Sequence, residues 1–286
     1  MPLDLVLWSA SVRTHPFRDR LAAAVAGGFT GLAMTPHEIG AARAEGLAPA
    51  DLRRLAADAG VALGHLDTVT GWAPVRYPSG ASAELVERFD FSVAEALDLA
   101  ADIGAERLLA LPGYEVGDVP LDVAVEGFAD LCDRAAERGL WIDLEALPMF
   151  GLPTLADAWE VLRLADRPNS GLLLDTWHFA RGGPDLDLLR SIPGERLRAV
   201  QLADGPARPR ADTLLEDCLR FRDFPGDGDL DLVEPVRIIY DKGFLESVGP
   251  EVFSDAADAL GAEDAGRRSG DATRRTLALA GALGTR

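Results

Sequence analysis

The sequence predicts an α/β fold, one closed (β/α)8 barrel, and three observations lead there. Short apolar runs, the form a strand takes when both its faces are covered, alternate with helical patterns along the whole chain. Eight such strand–helix units fit in roughly 250 residues, the size of a closed barrel. No linker or shift of composition divides the 286 residues, so a single domain over 1–286 is expected. An open doubly wound sheet is the competing arrangement. It ordinarily carries a G-x-G-x-x-G turn after its first strand, and here that turn reads SASVRTHP.

Residues 3–8 make the first strand. Leu21, Val25 and neighbouring alanines give 17–26 an apolar stripe, and Gly27-Gly28 stops that helix before a second strand at 29–34. A helix over 49–59 turns Leu52 and Leu55 inward, and a third strand follows Gly60 at 61–66. A longer connection with Gly71, Pro74 and Pro78 leads to a helix over 83–103, which Gly104 ends before the fourth strand at 107–111. The helix over 121–138 stops at Gly139. Strand five is 140–145, and Thr154 caps a helix over 154–165. Strand six, 171–175, precedes a short helix near 185–191, and strand seven is 198–202. A polar loop over 203–228 is rich in Asp, Arg, Pro and Gly. After it come a helix over 230–242, a last strand at roughly 244–252 and a closing helix over 271–283.

Composition narrows the class of function. Apolar residues form 48% of the chain, enough for a sizeable core, and no run of 18 or more of them suggests a membrane span. The N-terminal MPLDLVLWSASV lacks a basic flank and carries Asp4, so it reads as a strand and not a signal peptide. Cys132 and Cys218 are the only cysteines, which fits a reducing, cytoplasmic setting. A net charge of −19 repels phosphate backbones and anionic lipid, so neither nucleic acid nor membrane is expected as a partner. Assembly into a homo-oligomer is left open.

In such a barrel the residues ending successive strands meet at the C-terminal rim. Strand five ends WIDLEALP with Glu145, strand six LLLDTWH with Asp175, strand seven AVQLADG with Gln201, and strand eight GPEVFS with Glu251. Three carboxylates buried together need a cation or bound protons to compensate them. One divalent metal does so most simply, and an all-oxygen ligand set suits Mn²⁺ or Mg²⁺ better than Zn²⁺. His178 lies three residues beyond Asp175 and is a candidate proton shuttle or substrate donor. Trp177 is a candidate wall for a ring-shaped substrate. His37 and His65 near the ends of strands two and three, and Arg181 and Arg222 at the rim, are further substrate-binding candidates.

These motifs (IDLEALP, LLLDTWHFARGG, VQLADG, PGDGDLD and PEVFSD) resemble those of the sugar phosphate isomerase/epimerase family with a xylose-isomerase-like TIM barrel, over nearly the whole chain. The resemblance implies that Glu145, Asp175, Gln201 and Glu251 hold the metal. It also implies that Glu145 and Glu251 move the protons and that His178 contacts the substrate. The substrate would be a small polyhydroxylated or keto compound of carbohydrate metabolism, isomerised or epimerised through an enediolate. Loss of a β-substituent from the same enediolate would give a lyase instead, of the 3-dehydroshikimate dehydratase or keto-glycoside elimination kind. Gln201 stands where many epimerases of the family have His and matches the dehydratase-like members. Leu147 stands where dehydratases of this type often have His. An abasic-site endonuclease of the related barrel type would need a His-rich zinc centre, which four histidines and the acidic charge disfavour. A non-enzymatic sugar-binding relative would not need the full ligand set.

Overall fold

A computed structural model describes residues 3–77 and 82–282. Its eight parallel strands are β1 (Asp4–Leu7), β2 (Gly31–Leu32), β3 (His65–Val69), β4 (Arg107–Ala110), β5 (Trp141–Glu145), β6 (Ser170–Asp175), β7 (Leu197–Leu202) and β8 (Ser247–Pro250). They lie in the order β2-β1-β8-β7-β6-β5-β4-β3. The seam between β2 and β3 is joined by the parallel bridges Gly31–Ala62 and Met34–Leu66, so the sheet closes and no edge is left unpaired. β8 passes so close to β1 that a Cβ on Gly249 would overlap the Val6 carbonyl, and only glycine fits there. Among the described residues no helix is long and apolar enough to cross a membrane.

The helices form the outer layer. They are α1 (Phe17–Gly27), α2 (Pro36–Ala44), α3 (Pro49–Asp58), α4 (Ala83–Phe89), α5 (Val93–Ile103), α6 (Leu121–Ala136) and α7 (Leu155–Ala165). After them come α8 (Thr176–Arg181), α9 (Leu186–Ser191), α10 (Leu214–Arg220), α11 (Val233–Asp241), α12 (Asp255–Asp258) and α13 (Ala262–Leu279). α13 lies along α1, with Gly266 against the Ala23 carbonyl, so the two ends of the described chain seal the ring together.

Where element bounds depart from the sequence-based expectation, a cap or a polar strand is the reason. The expected helix over 83–103 is two helices, because the Ser92 hydroxyl accepts from the Glu95 N–H and Glu95 accepts from the Ser92 N–H, a reciprocal box that starts α5 afresh. A similar box between Thr35 and Glu38 starts α2, and Thr213 caps α10 inside the expected polar loop. The third strand lies at His65–Val69 and not at 61–66. Its HLDTV is polar yet wholly buried, because it lines the barrel's interior. The closing helix begins at Ala262, well before 271. Pro78 and the C-terminal residue of the expected closing helix, Leu283, lie outside the described residues.

The N-terminal end of the barrel is closed by ions, not hydrocarbon. Arg107 at the start of β4 donates from Nε and Nη2 to both Asp143 oxygens (2.8 and 2.7 Å) and from Nη1 to Glu246 (2.7 Å). Arg198 completes Glu246 at 2.8 Å and stacks 4.2 Å over the Trp141 ring, whose Nε1–H donates to Asp143 at 2.9 Å. Each buried charge here has a matched, bidentate or bridging partner. Removing the guanidinium would strand Asp143, which is 1% exposed. Arg107→Ala is therefore expected to lower the unfolding free energy in urea by about 3–5 kcal/mol, while the distant C-terminal rim keeps its ligand affinity.

Candidate metal and active site

Strand register delivers the four strand-end groups to one place. Glu145 ends β5, Asp175 ends β6 opposite Gln201 of β7, and Glu251 follows the last residue of β8. All are buried, between 0% and 5% exposed. Asp175 also caps α8, its Oδ1 accepting from the His178 N–H at 2.9 Å, which turns the imidazole inward over the strand ends. One ligand atom each from Glu145, Asp175 and His178 lies within 4.8 Å of the others, and His178 Nε2 stands 3.8 Å from Glu145 Oε1. Gln201 Nε2 donates to Glu251 Oε1 at 2.9 Å.

Arg222, expected at the rim, is at the centre. It is 1% exposed, and its Nη1 lies 2.7 Å from Asp175 Oδ2 and 3.3 Å from Glu251 Oε2. Its Nη2 donates to His178 Nε2 at 2.9 Å and to the Cys218 sulfur at 2.9 Å. His178 therefore carries its proton on Nδ1, which has no partner among the described residues. Burial, with Arg222 adding to it, pulls the imidazole down to about 3 against the pull of Asp175, so it is neutral.

The carboxyls separate by environment. Burial, then Glu251, Asp175 and Asp67, push the Glu145 carboxyl well above the usual range. Burial does the same for Glu251, with Arg222 opposing and Asp67 and Asp175 adding to the rise. At Asp175 burial is outweighed by Arg222 and His178, and the group is held low. One guanidinium does not balance these charges. Glu145 Oε1 and Gln201 Oε1 are buried acceptors with no donor among the described residues. Orphaned oxygens beside surplus negative charge are the donor set a divalent cation takes, so these residues fit a metal.

The cavity above has a volume of about 740 Å³. Glu145, His178, Arg222 and Glu251 border its polar end, and Leu147, Met149, Phe150 and Phe253 give it an apolar wall. His37, exposed in the first turn of α2, also borders it.

Three expected substrate residues do not reach that wall. Trp177 is fully buried behind the site, against Ala203 and Cys218, with the Arg181 and Arg222 guanidiniums 5.3 and 5.0 Å from its ring. Arg181 instead donates to the Pro206 carbonyl at 2.8 Å and faces Asp217 at 3.6 Å, pinning the loop after β7. His65 opens β3 and does not end it, so its Nε2 meets Ser247 Oγ at 3.2 Å deep in the barrel, with its ring edge-on to Trp8.

Asp204 was picked out within the VQLADG motif but given no role, and Asp67 escaped the sequence reading. Asp204 is 1% exposed and accepts from the N–H groups of Gly205, Gly226 and Leu230 (2.8–3.0 Å), folding the glycine-rich loop onto β7. The PGDGDL glycines were a signal that a backbone there wraps something closely. Asp67, in the displaced β3, borders the cavity, and burial together with Glu38, against Arg222, pushes its carboxyl up to about 7.

A family model described as a xylose isomerase-like TIM barrel matches residues 21–277. Over 241 residues, 83% of its length, the chain is 31% identical to a 3-dehydroshikimate dehydratase of Pseudomonas aeruginosa. It spans only 36% of that relative's length. It is 29% identical over 144 residues to an inosose isomerase of Bacillus subtilis, covering half of each chain. Among solved structures it superposes on the IolI protein with a binding zinc atom at a TM-score of 0.81 and 18% identity, covering 99% of this chain and 100% of the other, a likeness of fold.

The position of His65 has a measurable consequence. Burial and then Arg107 lower it from its usual 6.5 to about 3. The unfolded chain thus binds the extra proton first, so stability from this group is present above pH 6.5 and is lost as the pH falls toward 3. Urea unfolding at a series of pH values should show wild type losing stability against His65→Gln over that window, with ligand binding at the rim unchanged.

Proposed function

Because the chain belongs to the family of xylose isomerase-like TIM barrels, we propose that it is a divalent-metal-dependent isomerase or epimerase of a small polyhydroxylated ketone. The observation that carries this is the pair Glu145 and Glu251, both bordering one cavity and both raised by burial. A carboxyl lifted from its usual range holds a proton more readily than an ordinary one, which suits a group that takes and returns one.

Glu145, Asp175, Gln201 and Glu251 would hold the cation, with the His178 imidazole beside them. When bound, the metal supplies a Lewis acid that polarises the substrate carbonyl and favours the enediolate charge. Glu145, whose Oε1 has no donor, removes the proton alpha to the carbonyl. Glu251, tethered by Gln201 and Arg222, returns one from the opposite face and inverts the centre. Neutral His178 offers its Nδ1–H to a substrate oxygen, and Arg222 holds Asp175 and Glu251 in place. An all-oxygen set favours Mn²⁺ or Mg²⁺ over Zn²⁺, and coordination by His178 would move the preference toward Zn²⁺. The two cysteines are unpaired and buried, which supports a reducing, cytoplasmic setting.

A second reading, elimination of a β-hydroxyl from the same enediolate, is favoured by the 31% identity to a dehydratase and by Gln201. The test is NMR in deuterated buffer with Mn²⁺, inosose and a panel of ketohexoses. Isotope is expected to enter alpha to the carbonyl, to stop on chelation and to return with added metal. Glu145→Gln and Glu251→Gln should each slow exchange by about 10²–10⁴. An ultraviolet-absorbing enone with loss of water would move the assignment to the lyase, and no exchange with any ketone would overturn both.

A further inference from the structure

Asp67 is a carboxyl that the proton chemistry does not use. It is 8% exposed and borders the cavity. In a closed eight-stranded barrel its strand, β3, lies four places from β7, on the opposite side of the ring from the strand that carries Gln201. It stands outside the Glu145–Asp175–His178 cluster. Glu145 and Glu251 feel its charge as repulsion and offer it no hydrogen bond, and its other charged neighbours are committed elsewhere. Glu38 pairs with Arg20 and accepts from the Thr35 N–H, and Arg222 is occupied by Asp175, Glu251, His178 and Cys218. Nearby, Thr70 donates to the Phe89 carbonyl at 3.0 Å and its Oγ1 lies 3.2 Å from the Tyr77 hydroxyl. No described residue hydrogen-bonds the Asp67 carboxyl, which is nine-tenths buried and meets the cavity. A buried polar group is retained where something satisfies it, and here only a ligand or solvent in the cavity can do so.

We propose that Asp67 is a specificity-determining residue that accepts a hydrogen bond from a substrate hydroxyl on the side of the ring away from the reacting carbon. This rests on the site assignment above and narrows it to polyhydroxylated rings or long-chain keto-sugars. A three-carbon ketone held at Glu145 presents no hydroxyl across the mouth. A carboxylate built to take a hydroxyl also discriminates against the analogue lacking it, because the carboxylate is then left buried and unpaired.

The experiment uses Mn²⁺-loaded protein with inosose and its monodeoxy analogues, read by calorimetry and by solvent exchange. Asp67→Ala is expected to weaken inosose binding and raise KM by about 10- to 100-fold, with the Mn²⁺ stoichiometry kept. One deoxy analogue should bind wild type poorly and be insensitive to the substitution. Asp67→Asn, which keeps the shape, checks by its melting curve that the loss is not one of folding. Loss of Mn²⁺ would make Asp67 a ligand and overturn the proposal. So would equal weakening of every analogue, or no difference between wild type and variant. Exchange absent while the binding difference persists would overturn the proton chemistry and support the role of Asp67.

Discussion

One buried guanidinium holds the C-terminal end of this barrel together. Arg222 is within hydrogen-bonding distance of Asp175 and Glu251, donates to the imidazole of His178, and lowers the carboxyls of Asp67 and Glu145 from a little farther off. Concentrating acidic groups in a place from which water is largely withdrawn is costly unless positive charge is fixed among them. Arg222 meets part of that demand. The remainder appears as raised carboxyls at Glu145 and Glu251 and as acceptors without donors. The same imbalance would destabilise a merely structural core, and it is the kind that a bound cation would relieve, on which the proposed function rests.

Much of the chain after β7 exists to hold that guanidinium. Asp204 gathers three backbone N–H groups, and its own backbone pairs antiparallel with Asp223, fixing the segment beside Arg222. The Arg222 N–H donates to the Phe253 carbonyl, tying the loop to the stretch after Glu251. Trp177 gives the guanidinium a flat face to lie against, a cation–π contact that also excludes water from behind the site. Asp217, wholly buried, takes the Arg210 N–H and faces Arg181. Trp177 thus supports the site from behind and is not part of its wall.

The two ends of the barrel treat charge differently. At the N-terminal end Arg107, Asp143, Glu246 and Arg198 satisfy one another and nothing is left over. At the C-terminal end the pairing is incomplete, and there the cavity opens. This separation of a stabilising face from a reactive one is what the (β/α)8 architecture permits, because loops on one rim can vary without disturbing the other.

The alternation of apolar runs and helical stripes determined the barrel, since period and length are local properties that packing must respect. Strand-end positions 145, 175, 201 and 251 were legible for the same reason: each follows an apolar run directly, and a parallel sheet places such ends together. Asp67 was not legible, and where His65, Trp177, Arg181 and Arg222 sit was not, although Arg222 does border the cavity as a site residue. Whether His65 lies at the bottom of β3 or at its tip depends on where the ladder with β4 begins, and a polar strand gives no apolar run to mark it. Arg222 sits 47 residues from Asp175 in the chain. Its burial follows from the fold of the loop around Asp204 and from the depth of the charges it answers. Those are non-local quantities, set by how the elements pack against one another, and only the tertiary structure decides them.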